Sequence, residues 1–233
     1  NVFVQATGPL TGTLVGGRTE SSGRSPLTGF LGDANAGGHW GAELKFAGYD
    51  HIVFTGASDK PVYLWVDDDT VEIRDAAHLW GKSIWEMTDI IRKRENDPNI
   101  QVLGIGQGGE NLVKYACVIN TYTRAAGRTG LGAVLGSKKM KCIAVRGTKG
   151  VKIAKPKEFL NLVKQIYDWS VTSEFYEWYP KYGTPMLTEH KNMIQTLPVK
   201  NWTLNTVPNT DKMSGKTFLE KFTTKNRACN GCF

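Results

Sequence analysis

The sequence has few cysteines, few histidines and no long apolar run. Four cysteines in 233 residues are too few for a disulfide-stabilised scaffold. No stretch approaches the roughly 18 consecutive apolar residues of a membrane-spanning helix, so a membrane span is excluded. The four histidines are scattered without the spacing of paired metal ligands. With 40% apolar and 22% charged residues, the chain has the composition of a globular protein.

The amino terminus also lacks an initiator methionine and a signal sequence. The chain begins at Asn1, and neither a basic segment nor an apolar segment of a targeting peptide follows. We therefore expect this sequence to be part of a longer protein.

Glycine is distributed very unevenly along the chain. Of the 26 glycines, 23 lie in residues 1–150 and three lie after them. The net charge changes at the same place, from +2 in residues 1–150 to +5 in residues 151–233. The excess positive charge is scattered and accompanies no recognition motif, so binding to nucleic acid is not expected. These changes predict a domain boundary near residue 150.

The two parts differ in their predicted secondary structure, and together they predict an α+β fold. Residues 1–150 are β-rich, with one helix predicted over residues 83–94 from apolar positions at helical spacing. Residues 151–233 are α-rich, with a helix beginning at Pro156 and a cluster of six aromatics, typical of packing, in residues 169–182. Strands are predicted at residues 52–55, 62–66, 71–74, 100–105, 112–119 and 142–146.

Glycine-rich segments suggest two nucleotide-binding motifs, and both are rejected. Residues 104–109 match G-x-G-x-x-G, but residues 111–120 are predicted as a strand, whereas a dinucleotide site needs a helix after the motif. Residues 132–138 lack the lysine and the glycine spacing of a P-loop. Turns and bulges explain the glycines alone, but several arginines share the same segments. A second interpretation of these segments is a site for a phosphate-bearing ligand. Backbone amides that glycine leaves accessible, together with neighbouring guanidinium groups, suit such a ligand.

Two of the four cysteines form a C-x-x-C motif at the end of the sequence. Cys229 and Cys232 have a spacing suited to an iron–sulfur cluster, to zinc or to a dithiol redox couple. Cys117 and Cys142 fall in predicted strands and are interpreted as small buried apolar residues. A four-cysteine site would take its other ligands from beyond residue 233.

Taken in order, these motifs resemble one family. The sequence is similar to the tungsten-dependent aldehyde:ferredoxin oxidoreductases along nearly its whole length. Residues 19–22, 121–123 and 129 depart from the family pattern. The matching motifs lie at residues 8–12, 16–18, 25–29, 34–38, 43–50, 108–111, 124–128, 132–138 and 229–232.

The resemblance implies a β-rich base domain, residues 1–150, that carries a tungsten bis-pterin cofactor. It also implies that residues 151–233 begin an α-helical domain that ends in a cysteine motif. By this resemblance Arg18 reaches between the pterin and a [4Fe–4S] cluster, and Asn35 and the carbonyl of Ala125 ligate a magnesium ion that bridges the pterin phosphates. Cys229 and Cys232 match the first two cluster ligands. The other matching cofactor contacts are Gly37, Gly38, Arg124, Gly127 and Arg128.

The function implied by the resemblance is oxidation of an aldehyde to a carboxylic acid, with electrons passing through the cluster to ferredoxin or another electron-transfer subunit. The catalytic acid and base are expected beyond residue 233. The resemblance further implies a cytoplasmic enzyme of an anaerobic bacterium or archaeon that acts as a homodimer or in a larger complex. Two alternatives remain: the same cofactor acting on an aromatic acyl-coenzyme A, as in benzoyl-coenzyme A reductases, and a non-catalytic cofactor-binding subunit.

Overall fold

The computed structural model describes residues 1–232, which form two compact units. The first contains Asn1–Lys152 together with Cys229–Cys232, and the second contains Ile153–Ala228. The sequence analysis placed the cysteine motif at the end of the helical domain. In the structure this motif packs within the first unit.

Within the described residues 1–232, the first unit contains ten strands and four α-helices. The strands are β1 Phe3–Thr7, β2 Thr19–Arg24, β3 Leu31–Ala36, β4 His51–Phe54, β5 Val62–Asp67, β6 Thr70–Asp75, β7 Gln101–Gly104, β8 Val118–Asn120, β9 Arg124–Ala126 and β10 Met140–Arg146. The helices are α1 Trp40–Phe46, α2 Ile84–Glu95, α3 Gln107–Glu110 and α4 Leu131–Ser137.

The strands form two sheets. The first has the order β3-β2-β1-β4 and is antiparallel throughout. The second has the order β6-β5-β10-β7-β8-β9, in which β10 and β5 are parallel and the other pairs antiparallel. Strands and helices thus occur in one domain, and the predicted α+β class is confirmed.

Two apolar cores cover the two faces of the second sheet. On one face, side chains such as Leu64 and Ile143 pack with α1, α4 and the inner face of the first sheet. On the other face, Trp65 and Ala144 pack against α2. Burial on both faces explains why β5 and β10 are nearly continuous apolar runs rather than alternating ones.

Helix α2 follows directly from the sequence. The Ser83 hydroxyl accepts from the Glu86 amide at 3.3 Å, and the Glu86 carboxylate accepts from the Ser83 amide at 2.9 Å, which forms a capping box. Met87 and Ile91 bury the apolar stripe. The helix ends at Glu95, and the residue that caps it, Asn96, has a left-handed backbone with φ of 51°.

The strand predicted at residues 112–119 is wrong over most of its length. After α3 the chain turns, and β8 begins only at Val118. The Val113 amide donates back to the Gly108 carbonyl at 2.9 Å, and the Gly132 amide donates to the Ala116 carbonyl at 2.9 Å. The main chain of this segment therefore packs against α3 and α4 instead of pairing in a sheet, and the side chains of Leu112 and Tyr115 are exposed.

The second unit contains four helices within residues 153–228. They are α5 Pro156–Ser170, α6 Trp178–Tyr182, α7 Leu187–Met193 and α8 Gly215–Phe222. No side chain of α5 is buried. Packing of the aromatic cluster was predicted, and Trp178 packs on Tyr182 with ring centroids 6.0 Å apart. Trp169 and Phe175 are exposed among the described residues. No helix of residues 1–232 combines the length and apolar character that crossing a membrane requires.

Candidate cofactor site

Arg18 and Asn35 meet on the open face of the first sheet. Arg18 lies just before β2, and Asn35 lies on β3, where exposed and buried residues alternate. The Arg18 guanidinium donates from Nη1 to Asn35 Oδ1 at 2.8 Å. An amide oxygen has two lone pairs, so Oδ1 retains acceptor capacity for a second partner. Sequence analysis predicted both residues as cofactor contacts, and the structure brings them together.

Glu20 faces Asn35 across the same strand pair. The two residues are register partners between β2 and β3. Burial raises the pKa of Glu20, and the nearby negative charge of Asp33 raises it further. Its Oε1 is buried without a hydrogen-bond partner among the described residues. Sequence reasoning did not identify Glu20, because nothing in its local spacing distinguishes it from other polar residues on a half-exposed strand.

The loop after β3 is packed against the hairpin between β8 and β9. The Asn120 amide group donates to the Gly37 carbonyl at 3.1 Å. At Gly38, φ is 98°, and an added Cβ would lie 2.2 Å from Asn120 Oδ1 and 3.2 Å from Arg124 Cγ. Glycine is required at residue 38 both for this backbone conformation and for the close approach. Gly37, Gly38 and Arg124 therefore belong to one site.

Strand β9 carries the next predicted contacts at the edge of the second sheet. Arg124 is half-buried, whereas Ala125 is exposed. Gly127 and Arg128 follow the strand and are also exposed. Cα atoms of β9 come within 8 Å of Cα atoms of β3, the strand that carries Asn35. An edge strand presents backbone groups that the sheet does not pair, so a carbonyl here is available to a ligand.

The segment Cys229–Cys232 lies on the two glycine loops. The Asn230 amide donates to the Gly38 carbonyl at 3.1 Å. A Cβ at Gly37 would lie 2.6 Å from Cys229 Sγ, and a Cβ at Gly17 would lie 1.8 Å from the Asn230 carbonyl oxygen. Both glycines are thus needed for the close approach of the cysteine segment. The structure therefore places Cys229 beside the segments that carry Arg18 and Asn35, although about 200 residues of sequence separate them.

The prediction that Cys117 and Cys142 are buried in strands is confirmed only for Cys142. Cys229 is half-buried and Cys232 is exposed. Cys142 is buried in β10, and burial raises the pKa of its thiol. Cys117 is half-buried and precedes β8 rather than lying in a strand.

The structure corrects the argument about the G-x-G-x-x-G motif. The motif begins at Gly104, the last residue of β7, and its final three residues are the first residues of α3. It therefore does lie between a strand and a helix. Helix α3 contains only four residues. An added Cβ at Gly109 would lie 2.9 Å from the Gly132 carbonyl oxygen, which indicates packing of α3 against α4. These glycines therefore have a structural role, and the absence of a following helix was the wrong reason to reject the motif.

The sequence matches the family models of two domains, and these matches identify the family. A model described as the aldehyde ferredoxin oxidoreductase N-terminal domain matches residues 1–147. A second model, domains 2 and 3 of the same enzymes, matches residues 161–233. The chain belongs to the aldehyde ferredoxin oxidoreductase family.

Similar proteins confirm this assignment over the whole chain. A tungsten-containing aldehyde ferredoxin oxidoreductase of Pyrococcus furiosus is 44% identical over 100% of this chain and 39% of its own length. The corresponding enzyme of Thermococcus kodakarensis is 43% identical with the same coverage. A WOR-like subunit of an aliphatic sulfonate oxidoreductase of Pyrococcus furiosus is 33% identical over 87% of this chain and 34% of its own length. This aldehyde ferredoxin oxidoreductase family member therefore spans about 39% of the first two relatives.

A solved structure has the same fold. It is the active-site complex BamBC of benzoyl-coenzyme A reductase with 1,5-dienoyl-CoA. The matching chain has a TM-score of 0.82 and 34% sequence identity, with coverage of 100% of this chain and 38% of that chain.

The donor groups at the site suit a magnesium ion and a phosphate-bearing ligand. An amide oxygen and an edge-strand carbonyl are hard oxygen donors suited to magnesium, and guanidinium groups suit phosphate. Gly37 and Gly38 allow Cys229 and Asn120 to pack closely on this loop, which keeps the cysteine segment next to the donor groups. Among residues 1–232, no three His, Cys, Asp or Glu side chains form a group that could hold a metal ion. The two thiols therefore do not form a metal site by themselves.

Proposed function

We propose that this chain is the base-domain portion of a tungsten-pterin oxidoreductase that oxidises an aldehyde to a carboxylic acid. Electrons would leave through a [4Fe–4S] cluster to ferredoxin or another electron-transfer subunit. The observation that carries the proposal is the meeting of the Arg18–Asn35 pair, the Gly37 and Gly38 loop and Cys229 in one place. Tungsten-containing aldehyde ferredoxin oxidoreductases similar to the whole chain support it.

In this proposal the oxygen donors would hold a magnesium ion, which would neutralise the pterin phosphates. Asn35 contributes its amide oxygen and Ala125 its backbone carbonyl. Two phosphate groups brought together repel each other, and a dication with nearby arginines offsets that repulsion. Arg124 and Arg128 provide positive charge beside β9, while Gly127 leaves the backbone open. When bound, the tungsten pterin supplies the two-electron redox chemistry.

Arg18 and the cysteine segment form the electron-exit side of the proposed site. The Arg18 guanidinium is held by Asn35 and carries a permanent positive charge near the Cys229 loop. Cys229 and Cys232 supply two cluster thiolates, and the other ligands and the catalytic acid and base lie beyond residue 233. A thiolate-ligated cluster needs a reducing compartment, so we also propose a cytoplasmic location in an anaerobic organism. Assembly as a homodimer or in a larger complex belongs to the same proposal.

A second candidate reaction is reduction of an aromatic acyl-coenzyme A. The matching solved structure is part of a benzoyl-coenzyme A reductase complex, and it covers all of this chain. The cofactor contacts proposed above serve either reaction, because none of them reaches a substrate pocket contained in these residues. Substrate choice therefore depends on the other domains.

Elemental analysis of the natively purified full-length protein tests the proposal. Tungsten, magnesium and at least four irons per polypeptide are expected, together with reduction of ferredoxin on addition of an aldehyde. Aldehyde-independent turnover of an aromatic acyl-coenzyme A by the same preparation would favour the second candidate. Absence of tungsten and iron would overturn both and favour the non-catalytic subunit.

Replacing Cys229 by serine is expected to remove most of the iron from the full-length protein. Serine preserves the volume but not the thiolate that a cluster iron requires. Iron analysis and electron paramagnetic resonance of the reduced protein measure the loss. Cys117→Ser is the matched control, since Cys117 is also half-buried but lies outside the glycine loops. Equal iron content in the two variants would contradict the cluster assignment.

Replacing Asn35 by alanine is expected to lower the magnesium content at least several-fold. The change removes an oxygen ligand and also the acceptor of the Arg18 hydrogen bond. Magnesium and pterin content, measured after dialysis, report the effect. Asp33→Ala is the control, because Asp33 lies two residues earlier on the same exposed face of β3. Asn35→Asp keeps an oxygen donor and should retain magnesium, so the assignment fails if it loses the ion as alanine does.

A further inference from the structure

The turn between β8 and β9 has an unfavourable backbone for its residues. Thr121 has φ of 48° and Tyr122 has φ of 65°. The left-handed region favours glycine, asparagine and aspartate, and a β-branched residue there is a rare outlier. A turn with such angles persists only where surrounding contacts hold it in place.

Helix α2 provides the contacts on one side of the turn. The Tyr122 hydroxyl donates to Asp89 Oδ1 at 2.7 Å. Arg92 donates from Nη1 to the Tyr122 oxygen at 3.1 Å, and its guanidinium carbon lies 5.3 Å from the centre of the tyrosine ring. Burial raises the pKa of Tyr122, so the phenol keeps the proton that it donates. Because α2 is anchored in the core through Met87 and Ile91, it provides a fixed support.

The other side of the turn contacts the glycine loop of the candidate site. Thr121 Oγ1 accepts from the His39 amide at 3.1 Å and donates to Asn120 Oδ1 at 2.8 Å. Asn120 in turn donates to the Gly37 carbonyl at 3.1 Å. A continuous set of contacts therefore runs from α2, through the turn, to the loop that approaches Cys229.

Strand β9 is three residues long, and among residues 1–232 its one ladder in the second sheet is with β8. The buried Ala126 and the approach of β9 to β3 hold one end of the strand. Its other end, at Arg124, is held through the turn that joins it to β8. The turn is fixed from α2 by the Tyr122 contacts.

We propose that Tyr122 is a positioning residue for the cofactor site, which it serves by holding Arg124 and Ala125 in place through the turn. The inference rests on the proposed function, because Ala125 is the carbonyl ligand of magnesium in that proposal. Tyr122 acts through β9 and does not itself contact the cofactor.

Three variants of the full-length holoenzyme test the inference. Tyr122→Gly suits the left-handed backbone but removes the contact with α2, and Tyr122→Phe keeps the ring over Arg92 but removes the hydroxyl. Tyr115→Gly is the control, since Tyr115 is an exposed tyrosine in the turn region before β8. Magnesium dissociation, pterin content, thermal stability and hydrogen exchange of the residue 118–126 amides are measured for each protein.

Tyr122→Gly should raise the magnesium dissociation constant at least tenfold and increase exchange of the β9 amides. Tyr122→Phe should give a smaller effect of the same sign, and Tyr115→Gly should match the wild type. Because glycine relieves the turn, the melting temperature of Tyr122→Gly should stay close to that of the wild type. Wild-type magnesium binding or wild-type exchange in Tyr122→Gly would overturn the inference. A wild-type protein without magnesium or pterin overturns the proposed function, and the inference with it.

Discussion

Replacing Lys141 by methionine is expected to lower the free energy of unfolding by about 3–5 kcal/mol, the cost of breaking a buried ion pair. Lys141 is the second residue of β10 and is fully buried. Its ammonium group pairs with the Glu110 carboxylate and donates to the Lys82 carbonyl at 2.8 Å. The Glu110 side chain is 4% exposed and also accepts from the Gly81 amide at 2.9 Å. Without the lysine, a carboxylate remains buried with no opposing charge.

Two further variants separate the ion pair from general packing. Lys141→Met combined with Glu110→Leu removes both charges and should recover most of the lost stability, because the buried carboxylate is gone. Lys60→Met breaks an exposed pair with Asp75 at 3.5 Å and should cost less than about 1 kcal/mol. Urea unfolding followed by circular dichroism measures all three. A loss below 1 kcal/mol for Lys141→Met, or no recovery in the double variant, would contradict the assigned role of the pair.

Elements with local signals could be predicted from the sequence. The strands predicted at residues 62–66 and 71–74 are β5 and β6, and the aspartate-rich segment between them forms a hairpin turn in which Asp67 pairs with Thr70. Helix α2 was predicted from its apolar spacing, and its capping box reinforces the start. In both cases propensity, pattern and turn chemistry favour the same structure.

In the first sheet, β4 was predicted at residues 52–55, but β1, β2 and β3 were not. Strand β2 has the sequence Thr-Glu-Ser-Ser-Gly-Arg, which lacks the β-branched and aromatic residues typical of strands. It is a strand because β1 and β3 pair with it on both sides. Helix α4 was missed for a related reason: an added Cβ at Gly136 would lie 1.9 Å from the Gly109 carbonyl oxygen, so its glycines serve close packing rather than turns. Tertiary contacts override propensity in these segments.

Some of the residues predicted for the candidate site lie together in the structure, and these are residues whose type carries the chemistry. Arg18 and Asn35 stand in glycine-rich motifs, and the spacing of Cys229 and Cys232 indicates paired thiolates. Their resemblance to family motifs gave the proposed roles. By contrast, Tyr122 could not be identified from the sequence. Its proposed role depends on contacts with Asp89 and Arg92, which lie about 30 residues earlier in α2 and form no sequence motif with it.

Gly17→Ala is expected to displace the cysteine segment and to remove most of the iron from the full-length protein. An added Cβ at residue 17 would lie 1.8 Å from the Asn230 carbonyl oxygen, which is a backbone atom that cannot rotate away. The segment must move by more than an ångström, roughly the difference from an ordinary van der Waals contact. The hydrogen bond from the Asn230 amide to the Gly38 carbonyl at 3.1 Å is then lost.

Gly106→Ala is the matched control for this experiment. No atom lies within 4 Å of a Cβ built at Gly106, and its φ of −91° suits alanine. Iron per polypeptide, compared with the melting temperature, separates loss of the cluster from loss of the fold: Gly17→Ala should lose iron at nearly unchanged stability, since the clash is confined to a surface loop. If Gly17→Ala holds as much iron as Gly106→Ala, the packing of Cys229–Cys232 on the glycine loops does not position the thiolates. The cysteines would then reach their cluster by another arrangement, and the proposal that Arg18 lies on the electron path would lose its structural basis.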